Sequence, residues 1–194
     1  MASNNYAEGL FANAGAVLKG HFLLTSGLHS PVYWEKFKVL QHPEYTASLC
    51  QMIAGHFAND DIEVVIGPTT GGIIISHVVA RFLDVRGIFA EKSGQNARSL
   101  NRGFEIQPGE KVLLVDDVLT TGKSIREVID VIEKSGGQLA GIGVLVDRSE
   151  KGLDFGVPLY SCVRSETVTY PPENCPMCAE GQPLTKPGSS QVSK

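Results

Sequence analysis

Hydrophobic positions along the chain fall into two alternating periods. At the N-terminus Tyr6, Leu10, Ala14, Val17 and Leu18 recur at helical spacing, and Gly20 closes the predicted helix. Short strands over 22–27 and 31–37 flank a polar turn at 26–30. Pro43 opens a helix at its first turn, where a missing N–H costs nothing, and Tyr45, Leu49, Met52, Ile53 and Phe57 form the apolar stripe. From Glu63 the pattern shifts to short runs without polar alternation: 64–66, 88–90, 112–115 and 139–146 each read as a strand buried on both faces. Helices are predicted over 73–83 and from Ser124, the second with Ile125, Val128, Ile129 and Ile132 on one face and Gly136-Gly137 as its stop. Strands alternating with helices predict an α/β fold with a central, mostly parallel sheet covered by helices on both sides. The expected organisation is one domain: a core over residues 60–148, a small hood lobe from 1–59 and 149–185, and a mobile tail at 186–194.

Composition narrows the function class. The chain has 194 residues, 42% hydrophobic and 20% charged, ordinary values for a folded domain that needs no disulfides. A net charge of −4 lacks the basic excess of a dedicated nucleic-acid binder. The most apolar stretch, 73–83, is too short to span a bilayer and carries His77 and Arg81. Met1-Ala2-Ser3-Asn4-Asn5 has neither the basic start nor the apolar core of a signal peptide, so the expected location is the cytoplasm, with no membrane partner. Four cysteines occur: Cys50, Cys162, Cys175 and Cys178. Cys175-Pro176-Met177-Cys178 has the spacing of half a zinc site. Only Cys162 lies nearby and the last hundred residues hold no histidine, so the pair reads as unligated thiols in a C-terminal turn.

Three strand-exit loops concentrate the chemistry, at the end of an α/β sheet where ligands bind. The sharpest is Asp116-Asp117-Val118-Leu119-Thr120-Thr121-Gly122-Lys123-Ser124. Small hydroxyl residues and a glycine lead into a helix N-terminus, whose N–H groups and dipole suit a phosphate, with Thr120, Thr121 and Ser124 as hydroxyl donors. Two carboxylates repel a phosphate; they suit the diol of a sugar, or a nearby cation. Gly122-Lys123-Ser124 ends like a P-loop, but that motif needs glycine where this chain has Asp117, which excludes a P-loop ATPase. The second loop, Gly67-Pro68-Thr69-Thr70-Gly71-Gly72, lets backbone approach an anion closely. The third, 91–110, is polar, twenty residues long and carries Lys92, Arg98 and Arg102, as expected of a basic lid.

The run from Asp116 to Ser124 after an apolar strand resembles the ribose-5-phosphate loop of the type I phosphoribosyltransferases. That resemblance implies the family's fold and its donor, phosphoribosyl pyrophosphate (PRPP). Asp116 and Asp117 would take the ribose hydroxyls, and the backbone and side chains from Val118 and Leu119 through Thr120, Thr121, Gly122, Lys123 and Ser124 would wrap the 5-phosphate. It further implies a pyrophosphate loop at Thr69, Thr70, Gly71 and Gly72, lid cations Lys92, Arg98 and Arg102 on PRPP, and Asp117 and Lys92 as catalytic residues. The stretches 22–27 and 30–33 and the sequence Val146-Asp147-Arg148 resemble orotate phosphoribosyltransferases in particular. This implies that Thr25, Thr120 and Arg148 contact orotate, with the guanidinium fork of Arg148 on its carboxylate. Mg²⁺ is implied as a cofactor carried by PRPP and water with no direct protein ligand, and so is a homodimer that shares the lid. The chain departs from the best-known branch at Thr25, at Thr70-Gly71, at Glu91, and in lacking a Lys-x-His lid pattern; Arg98 and Arg102 stand as its relocated cations. A sibling enzyme for a purine or another pyrimidine shares the core motif. A non-catalytic PRPP sensor would carry a nucleic-acid-binding module that this sequence lacks.

Overall fold

The computed structural model describes residues 2–24, 26–94, 97–149, 153–165 and 168–187. The elements run α1 (Ala2–Asn13), β1 (Val17–Leu23), β2 (His29–Trp34), α2 (Lys36–Leu40), α3 (Pro43–His56), β3 (Val64–Pro68), α4 (Gly71–Leu83), β4 (Arg86–Lys92), β5 (Arg98–Ser99), β6 (Lys111–Leu119), α5 (Lys123–Lys134), β7 (Gln138–Asp147) and β8 (Leu159–Arg164). A 3₁₀ turn (Pro172–Asn174) and α6 (Pro176–Ala179) follow. No helix among the described residues is long and apolar enough to cross a membrane.

A six-stranded sheet in the order β5-β4-β3-β6-β7-β8 forms the centre. Every pair in it is parallel except the short β4–β5 hairpin. The apolar runs of β3, β6 and β7 lie in the middle, which is why both of their faces need hydrophobic residues. Val65, Leu113, Val115 and Leu145 pack with α1, α3 and α4, whereas Val64, Ile66, Val112, Leu114, Ile142 and Val144 pack with α5. The chain leaves β3 through α4 towards β4 and leaves β6 through α5 towards β7. Adjacent strands β3 and β6 therefore send their crossovers in opposite directions, and a crevice opens at their carboxyl ends.

Several boundaries differ from those expected. The first helix stops at Asn13, with Gly15 at φ +62°, and Val17 and Leu18 begin a strand: their helical spacing to Leu10 and Ala14 was coincidental. Alpha-helix α1 also packs Ala7, Leu10 and Phe11 into the main core, so it is no part of a hood. The sheet extends beyond residue 148 to include β8, whose Cys162 and Val163 complete that same core. What stands apart is the β1–β2 hairpin, bridged at Phe22 to Thr185 and at His29 to Tyr170. The strand expected to end before the acids continues through them to Leu119. Of the expected tail only Lys186 and Pro187 lie among the described residues.

Candidate active site

Strand β6 explains both acids. Successive strand side chains point to opposite faces, so Asp116 follows Val112 and Leu114 towards α5, while Asp117 follows Leu113 and Val115 towards α4. Both are nearly inaccessible, 5% and 4% exposed. Asp116 accepts from the backbone N–H of Asp117 and from the Ser124 hydroxyl, each at 2.8 Å. Asp117 accepts from the backbone N–H of Val118 at 2.7 Å and pairs with Lys36 Nζ at 2.7 Å. Burial, then the neighbouring Asp117 carboxylate, pushes the Asp116 carboxyl up to about 7, against the opposing hydrogen bonds from Ser124 and the Asp117 backbone.

The acids impose glycines around them. A Cβ on Gly71 would lie 2.0 Å from Asp117 Oδ2, well inside contact distance, so the N-terminus of α4 can lie over that carboxylate only with glycine there. At the start of α5, Gly122 sits at φ +74°, and a Cβ there would meet the Phe155 ring at 2.9 Å. The first-turn N–H groups of an α-helix have no intrahelical acceptor, so α4 and α5 each present an electropositive end above one acid.

Two cavities meet at the turn after β6. One of about 490 Å³ is lined by Lys92, Arg98, Lys123 and Glu127 together with Thr120, Thr121, Gly122 and Ser124. The other, about 810 Å³, is lined by Leu23, Leu28, Tyr33, Arg148 and Thr169, and again by Thr120 and Thr121. The backbone N–H of Arg148 donates to the carbonyl of Leu119 at 2.8 Å, which fixes this arginine beside the exit of β6. Burial pulls its guanidinium below the usual arginine range. Its neighbour Asp147 pairs with Arg164 at 3.2 Å and accepts from the N–H of Ser149.

The structure brings most of the expected residues to this crevice and alters several roles. Val118 is half-buried and Leu119 is buried, both in hydrophobic packing, and neither lines either cavity. Ser124 commits its hydroxyl hydrogen to Asp116 instead of to the expected phosphate. Arg98 is no swinging lid cation. Its side chain is 5% exposed, pairs with Glu127 at 3.1 Å and donates to Thr69 Oγ1 and the Ala90 carbonyl at 3.2 Å each. It thereby anchors the Thr69 loop from below. Arg102 lies at the surface with Glu91 at 2.9 Å, a bond that holds the glutamate low and the arginine high in pKa. Thr25 lies outside the described residues. Sequence reasoning missed Lys36 and Glu127, since an ion pair between distant segments leaves no periodic signal.

A phosphoribosyl transferase domain model matches residues 38–166. The orotate phosphoribosyltransferase of Pelotomaculum thermopropionicum is 53% identical over 183 residues, 94% of this chain and 96% of that protein. Its namesake from Desulforamulus reducens is 50% identical over 95% of this chain and 96% of that protein. The crystal structure of orotate phosphoribosyltransferase from Aeropyrum pernix superposes with a TM-score of 0.65 at 30% identity, covering 81% of this chain and 92% of that one. Paired acids on opposite faces of one central strand, each beneath a helix start, thus occur here in a chain that is related from end to end to these proteins, and it belongs to the orotate phosphoribosyltransferase family.

Proposed function

We propose that the chain transfers the 5-phosphoribosyl group of PRPP to N1 of orotate, giving orotidine 5-phosphate and pyrophosphate. The carrying observation is that Thr120 and Thr121 line both cavities. A basic, helix-capped site and an arginine-bearing pocket therefore open on one turn, directly after the two acids. The 5-phosphate sits on the backbone of Thr120, Thr121, Gly122, Lys123 and Ser124. Asp116 and Asp117 accept hydrogen bonds from the ribose hydroxyls, and Lys36 yields Asp117 Oδ2 to the sugar. Thr69, Thr70, Gly71 and Gly72 at the start of α4 receive the pyrophosphate, with Lys92 beside it. Arg148 forks onto the orotate carboxylate, and Thr120 completes the acceptor contacts. The C1–oxygen bond to pyrophosphate breaks as the bond from N1 forms, and the N1 proton of orotate is released with the pyrophosphate. No side chain acts as a nucleophile; the chain's residues hold both reactants in line and stabilise the leaving charge.

The donor set bears on Mg²⁺. Three of the four oxygens of Asp116 and Asp117 accept hydrogen bonds from Ser124 or backbone N–H groups, and the fourth pairs with Lys36. Such residues fit a cation that arrives on PRPP with its waters, since Mg²⁺ dehydrates reluctantly. When bound, it supplies charge neutralisation at the pyrophosphate. We place the protein in the cytoplasm as a homodimer that shares the 91–110 segment; Ile74 and Phe82 on α4 and Phe37 on α2, all large and exposed, support a subunit contact.

Loss of the orotate absorbance band on adding PRPP and Mg²⁺ tests the assignment, with hypoxanthine, xanthine and uracil as competing acceptors. Asp117→Asn is expected to cut kcat/KM by roughly 100-fold or more while the fold survives. Turnover of another base in preference to orotate overturns the acceptor, and near-normal Asp117→Asn activity overturns the sugar contact.

A further inference from the structure

Outside the catalytic crevice, four metal-binding side chains converge from opposite ends of the chain. His21 on β1, His29 on β2, Cys175 and Cys178 place one donor atom each within 4.8 Å of all the others. His21 Nε2 lies 2.8 Å from His29 Nδ1, 3.5 Å from Cys175 Sγ and 3.7 Å from Cys178 Sγ, and Cys178 Sγ is 3.3 Å from His29 Nδ1. With bonds of 2.0–2.1 Å to nitrogen and 2.3 Å to sulfur, a tetrahedron about zinc has edges of about 3.6 Å from nitrogen to sulfur and about 3.3 Å between nitrogens. The three nitrogen–sulfur distances bracket that edge, and the nitrogen pair lies half an ångström inside its own.

Protonation points the same way. The Gln182 carbonyl, 2.9 Å from His21 Nδ1, can only accept, so Nδ1 donates to it, and in the neutral imidazole Nε2 turns a bare lone pair into the cluster. A carbonyl fixing the tautomer from behind is the usual support for a metal-bound histidine. That lone pair faces three other donor atoms, of which only one could give it a hydrogen. His21, His29 and Cys175 are each 4% exposed, so solvent does not satisfy the surplus.

We propose that these four residues form a closed Cys₂His₂ site for structural Zn²⁺. The set of two thiolates and two imidazoles in a tetrahedron is that of zinc, with no open position for catalysis. On this proposal the thiols read from the sequence as unligated have their further ligands some 150 residues upstream, where a search near the C-x-x-C pair does not look.

The site closes a clasp. Thr185 N–H donates to the His21 carbonyl and Leu23 N–H to the Thr185 carbonyl, while His29 and Tyr170 exchange both backbone bonds. Leu23, Leu28, Thr169 and Lys186, each next to one of these joined positions or part of one, line the larger cavity. The metal thus pins the C-terminal segment onto the hairpin and holds the wall of the acceptor pocket. This second part rests on the proposed acceptor; the metal itself does not.

The test uses the full chain, expressed with added zinc and purified without chelator. Elemental mass spectrometry is expected to give about one zinc per chain, and a mercurial should release it stoichiometrically. Co²⁺ taken up in its place should show the intense visible bands of tetrahedral thiolate ligation. Cys178→Ser and His29→Ala should lose most of the metal; if either fails to fold, mercurial release from the native chain carries the test. A native chain that holds and takes up neither Zn²⁺ nor Co²⁺ overturns the site, as does an intact mass lighter by two hydrogens that maps to a Cys175–Cys178 disulfide. Full zinc retention in both variants does the same. Stripping zinc should lower Tm and raise the orotate KM more than the PRPP KM. Bound zinc with an unchanged orotate KM after stripping keeps the metal and refutes its grip on the pocket.

Discussion

Replacing Arg98 with methionine removes the guanidinium that joins three segments under the crevice. Its 5% exposed side chain meets Glu127, itself 13% exposed, and donates to Thr69 Oγ1 and the Ala90 carbonyl. Arg98→Met leaves a carboxylate in low-dielectric surroundings without its cation and the half-buried Thr69 Oγ1 without that donor, while the Ala90 carbonyl keeps only the Thr69 N–H. Breaking such a pair from one side costs about 3–5 kcal/mol. In a chain of this size each kcal/mol moves Tm by about 2–4 °C, so a fall of roughly 6–20 °C is expected by calorimetry or near-ultraviolet circular dichroism. Adding Glu127→Leu should recover much of the loss, because the stranded charge rather than the missing pair dominates. Arg102→Ala is the control: its bond to Glu91 lies in solvent, so Tm should hardly move. If Arg98→Met shifts Tm no more than Arg102→Ala, Arg98 is a mobile lid residue and the anchoring argument fails.

Arg148→Ala should raise the orotate KM roughly 10- to 100-fold, the worth of a charge-assisted bond, and leave the PRPP KM nearly unchanged; initial rates at two fixed co-substrate levels decide, and equal effects contradict the carboxylate contact. Gly71→Ala places a methyl 2.0 Å from Asp117 Oδ2 and must displace it, so kcat should fall by about 100-fold while the circular dichroism spectrum persists; normal turnover would show that the carboxylate need not rest there. Asp116, raised to about 7 in the fold, favours its protonated form. Between about pH 4 and pH 7 the native state holds a proton that the unfolded chain has lost, so stability falls across that window and levels off above about 7, where both states are ionised. Asp116→Asn should therefore gain stability over the parent chain between pH 5 and pH 8 in urea titrations, and a pH-independent difference would refute the shift.

How much of this was legible in the sequence follows from how far each feature reaches along the chain. The runs at Val64, Val112 and Leu139 announced central strands because burial on both faces removes every polar residue, a local and unambiguous mark. Thr120 to Ser124 was equally readable, since a glycine and small hydroxyl residues must be contiguous to start α5 over an anion. Val17 and Leu18 deceived because two residues of a strand can satisfy a helical period by chance, and β8 escaped because its first three positions are only half-buried. Burial of Arg98 depends on Glu127, 29 residues away, and Lys36 meets Asp117 across the fold. Partnerships of that kind are decided by topology, and composition near either residue does not hint at them. The opposite directions of Asp116 and Asp117 were readable in principle, given that β6 continues through them.

The crevice draws on two sets of segments that hardly overlap. The sugar-phosphate cavity is lined by the end of β4, the start of β5, the exit of β6 and α5, whereas the half around Arg148 comes from the end of β7, the hairpin and the C-terminal stretch. Among the described residues only Thr120 and Thr121 serve both. A lineage could therefore exchange one nucleobase for another by rewriting the periphery alone, with the costly apparatus for the activated sugar inherited intact. Reprogramming attempts in the laboratory have the same freedom, and the same two threonines as their boundary.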